Sequence, residues 1–150
     1  MQGLDADPLS HGLDGALEFP PHNTYWEFQD LTSLHHDARF KGRVMRYRAT
    51  VASAEAQFRF PVAPWRHPGV MVNFDNTARR QWQPDLWYGS NPYTFRRWLD
   101  FTLSAISDRE PENRIVFVNA WNEWAEGAIL EPSVRHGEGY LLAVRDALLR

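Results

Sequence analysis

The stretch Ile115-Val116-Phe117-Val118-Asn119-Ala120-Trp121-Asn122-Glu123-Trp124-Ala125-Glu126-Gly127 passes from an apolar run straight into two carboxylates, two indoles and two amides. A short apolar run rich in β-branched residues reads as a strand covered on both faces, as in a parallel sheet. Reactive groups of parallel α/β proteins gather just past the C-terminal ends of the strands. Glu123 and Glu126 therefore fall where such a fold does its chemistry.

Working outward, three more strands are expected. Ala16-Leu17-Glu18-Phe19 alternates and is stopped by Pro20-Pro21, which cannot donate to a ladder. The second is Val44 to Tyr47. In 70–76, Val70, Val72 and Phe74 alternate with Met71, Asn73 and Asp75, and polarity rises toward the C-terminal end. Thr50 is placed to cap a brief helix with Val51, Ala54 and Phe58 on its apolar side. Asn91-Pro92 reads as N-cap and first helical residue of a longer one, whose stripe is Phe95, Trp98, Leu99, Thr102, Leu103 and Ile106. A last helix carries Tyr140, Leu141, Val144 and Leu148 on one face. Strands this far apart with helices between them imply βα units and a parallel sheet. The fold class is α/β with about four βα units, long enough for the C-terminal half of a (β/α)8 TIM-like barrel, since a whole one needs ~250 residues. A small independent α/β sandwich is the alternative. Residues 1–15, with Gly, Asp, Pro and Ser and no periodicity, read as a mobile leader, and 16–150 as the half-barrel domain.

Composition narrows the function classes. The absence of cysteine excludes disulfide scaffolds and thiolate metal sites. A net charge of −3 with interspersed charges supplies no basic stripe for nucleic acid. No apolar run approaches the ~20 residues of a membrane span, and the N-terminus lacks a signal-peptide pattern, so a cytoplasmic location is expected. Seven tryptophans in 150 residues suit sugar faces as well as a core.

The spacing of the carboxylates carries the chemistry. If the chain turns helically after the strand, side chains at i and i+3 share a face with Cβ atoms ~5–6 Å apart. A retaining glycosidase holds its two carboxyl groups about 5–5.5 Å apart across the scissile bond. Crowding raises the pKa of one carboxyl, so that an acid and a base coexist. Trp121 and Trp124 bracket Glu123 and offer stacking faces, Asn122 offers a hydrogen bond to a hydroxyl, and Gly127 permits a close backbone approach. Glu18 and Asp75 with Asn76 sit at two other strand ends, where a solvated or turn-capping role is the alternative. The adjacent His35-His36 pair diverges on any regular element and reads as surface histidine.

The 117–127 stretch, followed by Leu130-Glu131-Pro132, resembles the C-terminal signature of the WbsX-like family, relatives of glycoside hydrolase family 99. Leu17-Glu18-Phe19-Pro20-Pro21-His22 is similar to that family's strand-end motif, and Pro68-Gly69-Val70-Met71 leading to Asp75-Asn76-Thr77-Ala78-Arg79-Arg80 to its central one. The resemblance implies a (β/α)8 barrel acting on mannose-type glycans. It implies that Glu123 assists attack by the substrate's own 2-hydroxyl, and that Glu126 protonates the leaving oxygen and then activates water. Trp121, Asn122, Trp124, Asp75, Asn76, Glu18 and His22 would line the sugar site. The hydrolases carry His where this chain has Ala125, which changes the subsite contacts. Many relatives are described as glycosyltransferases of lipopolysaccharide or polysaccharide assembly. The sole Asp-x-Asp spacing, Asp5-Ala6-Asp7, precedes every strand, and no P-loop or dinucleotide fingerprint occurs, so neither metal nor cofactor is expected. The expected partners are a glycan or oligosaccharide and, because a half barrel leaves edges and an apolar face open, a second copy or a complementing N-terminal half. The alternative function is a non-catalytic carbohydrate-binding or assembly-scaffold fragment.

Overall fold

The computed structural model describes residues 7–22, 31–32 and 37–149. The His35-His36 pair and the Asp5-Ala6 part of the Asp-x-Asp spacing lie outside the described residues. In chain order the elements are β1 (Ala16–Leu17), β2 (Arg43–Arg46), α1 (Tyr47–Gln57), β3 (Arg66–His67), β4 (Gly69–Met71), α2 (Thr77–Arg80), β5 (Asp85–Tyr88), α3 (Pro92–Ala105), β6 (Phe117–Asn119), β7 (Asn122–Glu123), β8 (Ala128–Ile129) and α4 (Gly139–Leu148). A 3-10 turn at Pro8–His11, capped by Asp7, occupies part of the segment expected as a leader.

The protein is mixed α/β. β1 pairs in parallel with β3, and β4 in parallel with β6. Only Pro68 separates β3 from β4. The His67 carbonyl accepts from the Glu18 N–H at 2.9 Å, and the next carbonyl, Pro68, from the Phe117 N–H at 3.0 Å. Successive carbonyls point to opposite edges, so the 66–71 segment lies between β1 and β6. The Asn119 amide then donates to the Pro20 carbonyl at 2.7 Å, fastening the exits of the two outer strands.

The expected second strand forms, but not in this ladder. β2 pairs in parallel with β5, Met45 opposite Trp87 and Arg46 opposite Tyr88. β5 joins the exit of β4 through its own backbone: Trp87 donates to the Phe74 carbonyl at 2.8 Å. The described strands close no barrel. They form three parallel pairs, β1–β3, β2–β5 and β4–β6, the first and last joined into one ladder through Pro68, and the antiparallel β7–β8 hairpin.

α3 begins as expected, with a capping box in which the Asn91 side chain accepts from the Thr94 N–H at 3.0 Å. It packs against α1, α4 and β4, burying Phe95, Trp98, Leu99 and Thr102. α1 starts three residues before the expected cap. Thr50 is instead a buried interior residue whose hydroxyl accepts from Trp87 Nε1 at 2.8 Å. α4 buries Tyr140, Ala143 and Ala147, while Leu148, expected on that face, is exposed.

The two faces of the ladder differ. Val116 and Val118 pack on the core, whereas Phe117 between them is 40% exposed, and Leu17 and Phe19 of the β1 segment are 42% and 44% exposed. Leu17 lies opposite His67, whose ring meets Phe117 edge-on, so these groups share one face. The expectation that the last strand is covered on both sides is thus corrected: its helix side is covered and the other is open.

Candidate functional site

The acidic motif does not continue as a helix. β7 and β8 pair antiparallel, Glu123 opposite Ala128, and the residues between them make a 3-10 turn, Trp124–Glu126, closed by Gly127 at φ 61°. Gly127 is required there by its left-handed conformation and by the 3.3 Å that would separate an added Cβ from Asp75 Cβ. The hairpin tip seats on the exit of β4: the Asp75 N–H donates to the Glu126 carbonyl at 2.6 Å. Asp75 and Glu126, from two motifs, are thereby joined through the main chain, with Glu123 three residues before Glu126 on β7.

Their environments differ. Glu126 pairs with Arg79, the third residue of α2, and its side chain is largely covered. Asp75 Oδ1 accepts from the Thr77 N–H and hydroxyl, starting α2. Glu123 is exposed, with no ion pair or hydrogen bond to its carboxylate among the described residues. Trp121 and Trp124 flank it, 54% and 57% exposed, and Trp124 is oriented by its Nε1, which donates to Glu131 Oε1 at 2.6 Å. Asn122 lies beside them, exposed on β7.

A cavity of about 570 Å³ opens against this hairpin, lined by Asn73, Asp75, Trp124, Ser90, His136 and Tyr140 among others. At its base the Ser90 hydroxyl donates to the Val72 carbonyl and accepts from the Tyr140 hydroxyl at 2.8 Å. Burial pushes the Tyr140 hydroxyl pKa up, so it stays protonated at neutral pH. Asn73 Oδ1 is buried without a hydrogen-bond partner. The wall facing Trp124 is the 133–137 loop, closed by mutual Ser133 and Gly137 backbone bonds, and it presents Arg135 and His136. Burial and the neighbouring Arg135 charge hold the His136 imidazole below the ordinary histidine value.

The remaining sequence candidates are placed differently. Glu18 is 1% exposed; its carboxylate accepts from Arg66 Nε at 2.6 Å and from the Gly69 N–H at 3.1 Å, bracing the ladder. The buried Asn76 side chain accepts from the Asp85 N–H at 2.8 Å and clamps β5. His22 stands in the turn after β1, edge-on to Phe74 at 5.1 Å. Arg79, Asn73, Ser90, Tyr140 and the 133–137 loop join the site without a functional signal in the sequence: the partner of Arg79, for one, is 47 residues away. No three or more His, Cys, Asp and Glu side chains among the described residues converge as metal donors, and no helix there is long and apolar enough to cross a membrane.

The protein is thus an α/β one with carboxylates, indoles and a cavity at the exit of a parallel strand. The chain belongs to the WbsX glycosyltransferase family, whose model matches residues 1–144. It is 35% identical over 153 residues to the protein WxcX of Xanthomonas campestris pv. campestris, in each of two strains. The match takes in all of this chain but 22% of the relative, so the chain spans about a fifth of the length of the curated proteins it matches. No solved structure matches it.

Proposed function

We propose that this chain carries the strand-end site of a retaining, glycan-active enzyme of polysaccharide or lipopolysaccharide assembly, acting on a mannose-type sugar and related in chemistry to glycoside hydrolase family 99. The observation that supports the reading is the hairpin 122–129, on which Glu123 is exposed and unpaired and Glu126 is tied to Asp75 through the main chain at the exit of β4. In the proposed reaction Glu123 takes the proton of the substrate's 2-hydroxyl as that oxygen displaces the leaving group at C1, and Glu126 protonates the leaving oxygen. Water or an acceptor hydroxyl then opens the 1,2-anhydro ring, giving its proton to Glu126 while Glu123 returns its own to O2. Trp121 and Trp124 supply the stacking faces and Asn122 a hydroxyl contact. Asp75 lines the pocket, and Glu18, Asn76 and His22 support the strand ends.

The architecture proposed for this site is half of a (β/α)8 barrel. What supports it is the parallel pairing of β1, β3–β4 and β6, with β2 and β5 set apart as their own parallel pair, and the open apolar face at Leu17, Phe19 and Phe117. A second reading is favoured by one observation: Arg79 occupies the Glu126 carboxylate, as suits a binding module without turnover. The test is a panel of mannose-containing oligosaccharides incubated with the protein, with product release followed by mass spectrometry and binding by tryptophan fluorescence. Turnover supports the enzyme; saturable binding with no product on any substrate supports the module.

A further inference from the structure

A second cavity, of about 580 Å³, lies on the other side of Tyr88 and Gly89 from the cavity lined by Asp75 and Trp124, and both residues line both cavities. Its walls carry Arg46, Arg48, Arg97, Tyr88, Tyr93 and Asn91, and no lining residue is acidic. Parallel pairing explains the convergence. Arg46 lies opposite Tyr88 in the register, at the C-terminal ends of β2 and β5, and the chain turns at once into α1 and, four residues past Tyr88, into α3. Crevices at the C-terminal ends of parallel strands are where α/β proteins place ligands.

The charge there is uncompensated. Arg97 pairs with Glu55, but Arg46 and Arg48 make no ion pair with any described residue. Two free guanidiniums in one concave site match a dianion better than a single carboxylate, and guanidinium geometry suits phosphoryl oxygens. The first turns of α1 and α3 add positive ends on the same side, α1 without a side-chain cap. Tyr88 and Tyr93 are exposed and offer faces to a ring. Gly89, at φ 87°, has open space where a Cβ would stand.

We propose that this basic cavity binds the phosphoryl or diphosphoryl group of a phosphate-bearing saccharide whose sugar reaches across Tyr88 and Gly89 into the cavity lined by Asp75 and Trp124. The sugar half of the proposal rests on the glycan reading above; the phosphate half stands on Arg46 and Arg48. A sugar 1-phosphate and a nucleoside diphosphate sugar share this chemistry and differ in whether a base stacks on Tyr88 or Tyr93.

The test is isothermal titration calorimetry of the whole chain with pyrophosphate, mannose 1-phosphate, a guanosine diphosphate sugar and a neutral mannose oligosaccharide, for wild type and for Arg46→Gln with Arg48→Gln. Both positions are exposed, and circular dichroism checks that the double variant keeps its fold. Pyrophosphate is expected to bind wild type and to weaken about tenfold or more in the double variant and on raising salt, with neutral oligosaccharide affinity unchanged. Tighter binding of the guanosine compound than of mannose 1-phosphate assigns the nucleotide source, and equal or weaker binding the sugar 1-phosphate. No pyrophosphate binding, or binding that survives both substitutions, overturns the proposal. Arginine-dependent phosphate binding without neutral oligosaccharide binding supports the basic cavity and counts against the glycan site alone.

Discussion

The N–H of Asp75 donates to the carbonyl of Glu126 at 2.6 Å, so two acidic motifs 51 residues apart are locked together through the main chain. A backbone bond fixes this position whatever the side chains do, which makes the hairpin tip part of the exit of β4 rather than a loose loop beside it.

That lock depends on Gly127. Replacing it by Ala puts a Cβ at φ 61° and within 3.3 Å of Asp75 Cβ. The expected loss is about 1–2 kcal/mol, the cost of a left-handed non-glycine residue. Chemical denaturation measures it, and turnover is expected to fall with the displaced Glu126.

Arg79 serves position more than stability. Its pair with Glu126 is half exposed on the arginine side, so Arg79→Ala is expected to cost under ~1 kcal/mol in denaturation. Glycan turnover in the same variant is expected to change much more than stability, because the Glu126 carboxylate loses its anchor. Equal, small effects on both would mean that the pair is incidental.

Glu18 behaves in the opposite way. Removing a buried carboxylate that holds Arg66 and the Gly69 N–H leaves both without their partner, and Glu18→Ala is expected to cost about 3–5 kcal/mol. Urea unfolding decides it: a near-neutral Glu18→Ala would return Glu18 to the list of ligand-facing residues.

These contrasts mark what the sequence discloses. The α3 start is legible because Asn91 and Thr94 satisfy one another across Pro92 within four residues, and the acidic cluster because it directly follows an apolar run. The partnership of β2 with β5 is not, since Asp85-Leu86-Trp87-Tyr88 acquires its meaning only from Arg43 to Arg46, some forty residues earlier. Thr50 looked like a cap because its partner, Trp87 Nε1, is equally remote. The hairpin after β6 escaped because its turn is set by Gly127 meeting Asp75, a tertiary contact. Glu18 stands at a strand end like a site residue, and only its partner Arg66, 48 residues away, reveals its structural use.

His136 gives a pH dependence with a definite sign. Burial first, and the Arg135 charge second, disfavour its protonated form in the folded state, so its folded pKa lies below the unfolded value near 6.5. Below that value the unfolded chain binds the proton more readily than the folded one. Stability is therefore expected to fall as pH drops from about 6.5 through the folded pKa and to level off beneath it. His136→Gln removes this part of the slope, and NMR titration of the imidazole should give a midpoint below that of a free histidine.

The central claim is that Glu123 and Glu126 perform proton transfer on a glycan. The direct measurement is kcat for wild type, Glu123→Gln and Glu126→Gln on a turned-over mannose-containing glycan, with the dissociation constant determined in parallel. Each substitution is expected to lower kcat by about 10²–10⁴-fold, the usual loss when a positioned acid or base is removed, with glycan affinity within about tenfold of wild type. Near-normal kcat in either variant would contradict the assignment of that glutamate, and in both it would contradict the catalytic account as a whole.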